Sequence, residues 1–210
     1  MLYLGDYYRT FSKVKDRYRL LAPFYTKISQ LVFGDVIHQA TTCYLSKIPK
    51  KSVIIIGGGD GNHFREIQNE LEGEYWELSS SMLKRAQKNL SESQLTFHLG
   101  EFKSQEKVSC VIFPFVLDTV PDDEIEQLLM DVSHNLEKGG ILLLSDFFRK
   151  AGFFHDFMTG LMIRIFRVLT AHKRKDLPDY SKFLSQHGFE LTAEKQFKKG
   201  WIRSQLWEKN

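Results

Sequence analysis

The sequence predicts an α/β fold with a mostly parallel sheet, and three observations lead to this prediction. Short apolar runs alternate with amphipathic segments along the chain, as strands and helices do around a parallel sheet. Residues 52–56 form an unbroken, largely β-branched run, which is typical of a strand buried on both faces. Two strand-like runs flank Lys198-Lys199-Gly200 near the end of the chain and predict an antiparallel pair.

The individual elements follow from apolar periodicity and from helix end signals. We predict strands at residues 52–56, 74–78, 94–99, 108–115, 141–145, 189–197 and 201–207. Helices are predicted at residues 63–71, 80–90, 122–136, 153–169 and 180–187, and residues 13–48 are predicted to be helical with a break near Pro23. Ser79 is the expected N-cap of the second helix, and Gly188 is expected to end the last one.

These elements predict a Rossmann-like sheet of seven strands in the order 3-2-1-4-5-7-6, with strand 7 antiparallel and helices on both faces. Residues 1–210 are expected to form a single domain. Within it, residues 1–48 are expected to form a helical cap, and residues 149–176 a helical insertion over a pocket.

Composition sets broad limits on function. The net charge of +3 does not require a nucleic-acid partner, and no run approaches the roughly 18 apolar residues of a membrane span. No secretory signal is visible, so we expect a cytoplasmic protein without an integral membrane segment. Cys43 and Cys110 lie in apolar contexts and are expected to be buried free thiols. No Cys/His spacing suggests zinc, and we expect no metal.

The glycine-rich segment from Gly57 to Gly61 lies between a predicted strand and a predicted helix, which is the arrangement of a nucleotide-binding unit. Glycines there permit positive φ angles and let the backbone approach a ligand closely. Glu77 ends the next strand, where a carboxylate can accept hydrogen bonds from ribose hydroxyls. A dinucleotide fingerprint requires glycine where Asn62 stands, and no P-loop ending follows.

The pattern G-x-G-x-G at Gly57, Gly59 and Gly61 resembles the first motif of class I S-adenosylmethionine-dependent methyltransferases. Residues 74–83, 99–102, 111–118 and 136–142 resemble the family's later motifs, in the correct order and spacing. Residues 16–25 are similar to the start of the quinone C-methyltransferase (UbiE/MenG-like) branch. The loop also resembles that of spermidine synthase-type aminopropyltransferases, although the helical N-terminus and the absence of paired carboxylates at residues 113–115 argue against them.

The resemblance implies S-adenosylmethionine as cofactor, S-adenosylhomocysteine as product, and a small apolar or aromatic molecule as methyl acceptor. Phe113-Pro114-Phe115 does not match the motif of amino-methylating nucleic-acid enzymes, so no nucleic acid is expected, while a homodimer stays open. The cofactor-binding residues implied by the resemblance are Gly57, Gly58, Gly59, Asp60, Gly61, Glu77, Leu78, Met82, Glu101, Phe102 and Phe115.

The catalytic residues are not identified by the sequence, because methyl transfer from a sulfonium mainly requires positioning and a dry pocket. His155, Asp118 and Tyr25 are the candidates, and ordinary packing or turn roles remain open for each of them. His63 follows the glycine loop and is a further candidate for cofactor contact. The family's acidic residue before the loop is Ile55 here, so a catalytically inactive cofactor-binding protein is also an alternative. We expect the acceptor pocket to be formed by residues 18–25 and 153–166.

Overall fold

A computed structural model of the chain describes residues 33–149 and 176–210. The described residues contain a seven-stranded sheet in the order β3-β2-β1-β4-β5-β7-β6. Strands β1 to β5 run parallel, and β7 pairs antiparallel with both β5 and β6. The predicted fold, strand order and antiparallel strand are therefore confirmed.

The strands are β1 Val53–Ile56, β2 Glu72–Glu77, β3 Gln94–Leu99, β4 Val108–Pro114, β5 Leu136–Phe147, β6 Phe189–Phe197 and β7 Ile202–Lys209. The α-helices are α1 Val36–Thr42, α2 Ser80–Asn89, α3 Asp122–Asn135 and α4 Tyr180–Gln186. Short 3-10 segments are Leu45–Lys47, Asn62–Glu70, Leu117–Thr119 and Lys198–Gly200.

Strand β1 lies between two hydrophobic layers, which explains its unbroken apolar sequence. Ile54 and Ile56 pack in the layer that contains α3 and α4, and Val53 and Ile55 pack in the layer on the opposite face. All four side chains are buried. Because the sheet is covered on both faces around β1, its ends are the accessible part of this strand.

Local capping explains where two of the helices begin. The Ser79 hydroxyl accepts a hydrogen bond from the Met82 N–H at 3.3 Å, which confirms the predicted N-cap of α2. Asp179 caps α4 in the same way by accepting from the Lys182 N–H at 3.2 Å. Gly188 follows α4 with a φ of 81°, a conformation that glycine adopts without steric cost.

Some predicted elements differ from the structure. The segment after the glycine loop is a 3-10 helix, Asn62–Glu70, instead of the expected α-helix, and β5 begins at Leu136 rather than at residue 141. The β4–β5 register shifts between Val108 and Cys110, which lets residues 136–140 join the strand. Cys43 is only half-buried, so the expectation of two buried thiols is wrong for this residue.

Part of the predicted organisation lies outside the described residues. This applies to residues 1–32 of the expected cap and to residues 150–175 of the expected insertion. The candidates Tyr25 and His155, and the predicted pocket segments 18–25 and 153–166, belong to these ranges. Their roles stay predictions.

Candidate cofactor-binding site

The glycine loop joins β1 to the following 3-10 helix at the carboxyl edge of the sheet. Gly57, Gly59 and Gly61 have φ angles of 71°, 63° and 74°, which side-chain-bearing residues rarely adopt. Gly58 is required for a different reason, because a Cβ there would lie 2.4 Å from the Tyr75 hydroxyl. Three glycines of the motif are therefore required by the backbone conformation, and Gly58 is required by close packing.

Glu77 lies at the end of β2, next to the loop, and is only 9% exposed. Its Oε2 accepts a hydrogen bond from the Gly59 N–H at 3.0 Å, and its Oε1 accepts one from the Ser79 N–H at 2.8 Å. The Tyr75 hydroxyl donates to the Gly59 carbonyl at 3.1 Å. The turn is thus held by two side chains of the adjacent strand.

Asp60 stabilises the end of the loop. Its carboxylate accepts hydrogen bonds from the Asn62 N–H at 3.2 Å and from the Asn62 side-chain amide at 2.8 Å. The Asn89 side chain donates to the Asp60 carbonyl at 2.8 Å, which ties the loop to α2. In this structure Asp60 organises the start of the 3-10 helix, and its predicted contact with a cofactor stays a prediction.

Two apolar side chains are exposed at the ends of β2 and β3. Leu78 is 71% exposed and Leu99 is 59% exposed, although both are large aliphatic residues. The Gly100 N–H donates to the Glu77 carbonyl at 3.0 Å and keeps the two strand ends together. Leu99 begins the motif-like segment 99–102 but is not among the predicted cofactor-binding residues, because a strand-end leucine carries no local signal of exposure.

The other residues predicted on this side are placed differently. Met82 and Phe102 are 4% and 9% exposed, and they pack inside the molecule. The Phe102 ring meets the Trp76 ring edge-on, with centroids 5.8 Å apart. Glu101 is exposed at the surface. Met82 and Phe102 are therefore buried and Glu101 is at the surface, and a contact of these three residues with a cofactor stays a prediction.

Phe115 follows β4 in a left-handed backbone conformation with a φ of 56°, which is unusual for a bulky residue. Its N–H donates to the Ser145 carbonyl at 2.7 Å. Its ring lies 5.3 Å from that of Phe147, which contacts Phe33 at 5.3 Å and Trp201 at 5.2 Å. We call Phe33, Phe115, Phe147 and Trp201 the aromatic cluster.

Asp146 organises the loop that follows Phe115. This fully buried carboxylate accepts hydrogen bonds from the N–H groups of Leu117, Asp118 and Phe147 at 3.1, 3.3 and 2.8 Å. Burial, and next the charge of Asp118, raise the pKa of Asp146 well above its usual range, while the backbone donors lower it. Asp118, a catalytic candidate, is itself only 6% exposed.

No group of three or more His, Cys, Asp or Glu side chains in residues 33–149 and 176–210 is placed to hold a metal ion. None of the helices described there combines the length and the apolar character that crossing a bilayer requires.

Solved structures with the same architecture define the class of fold. Magnesium protoporphyrin IX methyltransferase (ChlM) from Synechocystis, with bound S-adenosylhomocysteine, matches with a TM-score of 0.66 at 18% identity, covering 93% of each chain. The DhpI–S-adenosylhomocysteine complex has a TM-score of 0.70 at 14% identity, covering 95% of this chain and 97% of DhpI. Mitomycin 7-O-methyltransferase MmcR has a TM-score of 0.71 at 14% identity, over 97% of this chain and 60% of MmcR. The chain has the class I S-adenosylmethionine-dependent methyltransferase fold.

Part of the chain is similar in sequence to curated enzymes from Shewanella. Carboxy-S-adenosyl-L-methionine synthase from Shewanella amazonensis is 30% identical, over 62% of this chain and 56% of the relative. The same enzyme from another Shewanella strain is 27% identical over the same shares. The chain thus matches only about half the length of these relatives. No protein-family profile matches the chain.

Proposed function

We propose that this chain binds S-adenosylmethionine across the carboxyl ends of β1, β2 and β3. The observation that carries the proposal is the Glu77 carboxylate, held by the Gly59 and Ser79 N–H groups beside the glycine loop. A carboxylate fixed at this position is suited to accept hydrogen bonds from two ribose hydroxyls. Leu78 and Leu99 offer exposed apolar surface next to it for an adenine ring. S-adenosylhomocysteine bound to ChlM and DhpI supports the proposal.

The reaction that best suits this fold is transfer of the sulfonium methyl group to an acceptor. An acceptor lone pair attacks the methyl carbon, the carbon–sulfur bond breaks, and the sulfonium becomes a neutral thioether. Any proton on the acceptor leaves to water or to a base. The protein's task is to align acceptor and methyl group and to exclude water, so the site needs no covalent nucleophile.

The aromatic cluster supports a small apolar or aromatic acceptor. Phe115 lies directly after β4, at the carboxyl edge where ligands of such sheets bind. Phe33 and Phe147 lie in sequence next to residues 1–32 and 150–175, which contain the two segments predicted to cover the acceptor. Aromatic walls favour a flat apolar molecule through burial and ring stacking. The mitomycin 7-O-methyltransferase MmcR is an example of a small-molecule enzyme with this fold.

A second candidate function is synthesis of carboxy-S-adenosylmethionine, and the two Shewanella relatives favour it. An added carboxylate on the cofactor would lose its hydration against the apolar rings of the aromatic cluster. For this physical reason we place methyl transfer first. The relatives and structures named above include no aminopropyltransferase, and we do not propose that activity.

Calorimetry and mass spectrometry together test the proposal. The chain is titrated with S-adenosylhomocysteine and then incubated with S-adenosylmethionine and a panel of phenols and hydroquinones. We expect binding, and release of S-adenosylhomocysteine with a methylated acceptor. Conversion of S-adenosylmethionine to a carboxylated product in the presence of small carboxylic acids would favour the second candidate. Absence of binding to either nucleoside would contradict the cofactor assignment, and binding without turnover would favour an inactive cofactor-binding protein.

A further inference from the structure

Two histidines join the N-terminal helix α1 to the element that follows the glycine loop. His38 lies in α1, and His63 is the second residue of the 3-10 helix Asn62–Glu70. Their Nδ1 atoms are 3.2 Å apart, and the rings are tilted by 34° with centroids 5.5 Å apart. The residues are 25 positions apart in sequence, so this contact depends on the packing of α1 and not on local structure.

The distance between the two nitrogens limits the protons that the pair can carry. A hydrogen bond between two Nδ1 atoms requires one to donate its proton and the other to accept through its lone pair. The hydrogen bond can form when one of the two rings is protonated on both nitrogens. It cannot form when both rings are, because two N–H groups would then face each other and no acceptor would remain. Burial, and next the proximity of His38, lower the pKa of His63 to about 4, while Asp60 acts in the opposite direction. His63 is therefore neutral at ordinary pH.

Two titratable groups act on the pKa of His63 within the described part of the chain, His38 from α1 and Asp60 from the glycine loop. The Asp60 carboxylate bonds to Asn62, directly before His63. The Phe64 N–H donates to the Gly61 carbonyl at 3.0 Å, directly after it. His63 is thus attached on both sides to groups that shape the loop.

We propose that the His38–His63 pair is a positioning contact that docks α1 against the 3-10 helix after the glycine loop and so sets the loop conformation needed for cofactor binding. The second part rests on the proposed function. The docked state requires at least one neutral ring, and in an undocked state His63 would titrate near the ordinary value of 6.5. Acid therefore favours undocking: between about pH 7 and pH 5 the ratio of docked to undocked chains falls about 20-fold.

Hydrogen–deuterium exchange of α1 tests the docking in the cofactor-free chain. The reporters are amides bonded within this segment, such as Gln39 N–H to the Asp35 carbonyl and Cys43 N–H to the Gln39 carbonyl. After correction for intrinsic rates, we expect the wild-type opening ratio to rise as the pH falls. His38→Leu should exchange faster at every pH. His38→Gln keeps a hydrogen-bonding side chain, so it should restore protection, but the pH dependence should persist because His63 still titrates. His63→Gln should remove the pH dependence.

The affinity for S-adenosylhomocysteine, measured by calorimetry at about pH 7 and pH 5.5, tests the effect on the loop. We expect the affinity to follow the protection of α1 in the wild type and in both His38 variants. His134→Gln is the matched control, because His134 is an exposed histidine at the end of α3, and it should behave as the wild type does.

Three outcomes would overturn parts of this reasoning, and they are distinguishable. Exchange of α1 that is independent of pH, or unchanged in His38→Leu, would refute the docking contact. Faster exchange with unchanged affinity would refute the positioning role. A wild-type chain that binds no S-adenosylhomocysteine at either pH would refute the proposed function instead, and the exchange measurement would then decide the docking contact by itself.

Discussion

Glu77→Gln removes the charge at the centre of the candidate site while keeping the shape of the side chain. In the wild type, each carboxylate oxygen accepts one backbone N–H, from Gly59 and from Ser79. A glutamine can keep one of these bonds, but its amide NH2 group must then face the other N–H. Glu77 is 9% exposed, so that donor loses a charge-assisted bond worth about 1.5–3 kcal/mol. We expect the free energy of unfolding to fall by about this amount.

The same substitution should weaken cofactor binding. If Glu77 accepts hydrogen bonds from the ribose, losing the charge costs about 1–3 kcal/mol of binding free energy, which is about 5- to 150-fold in affinity for S-adenosylhomocysteine. Urea denaturation measures the stability and calorimetry measures the affinity. Glu72→Gln is the matched control, since it removes the same charge from an exposed position at the start of β2. Lower stability with unchanged affinity would show that Glu77 only organises the loop, and no change in either quantity would refute both roles.

Three further predictions follow from buried groups. Gly58→Ala should lower the free energy of unfolding by about 1–3 kcal/mol, because its Cβ would lie 2.4 Å from the hydroxyl of the fully buried Tyr75; an unchanged urea midpoint would contradict this packing. Burial raises the pKa of the Cys110 thiol to about 12, whereas Cys43 is half-buried. In the native chain at about pH 8, a disulfide reagent should therefore react with Cys43 and spare Cys110 until denaturant is added. Equal reactivity of the two thiols in the native chain would contradict this prediction. The folded-state pKa of His63 is lowered from 6.5 to about 4, so the neutral ring stabilises the folded chain above about pH 6.5. This contribution of about 2–3 kcal/mol to the free energy of unfolding is lost as the pH falls toward 4. His63→Gln should remove this part of the pH dependence, and identical pH profiles of unfolding for the variant and the wild type would refute the prediction.

Elements with a strong local pattern were predictable from the sequence. Strand β1 is apolar because both of its faces are covered, and the run 52–56 already indicated this. Ser79 caps α2 because a serine followed by a helix-forming segment satisfies a free backbone N–H within three residues. The strand order also followed, since alternating strands and helices with a terminal antiparallel pair leave few topologies.

Predictions failed where a distant part of the chain decides the local conformation. The apolar periodicity of Asn62–Glu70 is close to that of an α-helix, so the sequence does not reveal that this segment is a 3-10 helix. The start of β5 at Leu136 depends on its pairing with Val108 across the sheet, and the turn signal at residues 137–140 concealed it. Local propensity gives only a weak preference in such segments, and tertiary pairing overrides it.

The sequence by itself determined the fold class and the positions of the glycine loop and Glu77, because these depend on interactions between residues close in the chain. Only the tertiary structure decided how they are held together. The Glu77–Gly59 bond, the His38–His63 pair and the bond from the Leu117 N–H to Asp146 join residues 18 to 29 positions apart. Such contacts leave no periodic trace in the sequence, since they form only when separate elements pack against one another and exclude water from polar groups that would otherwise be solvated.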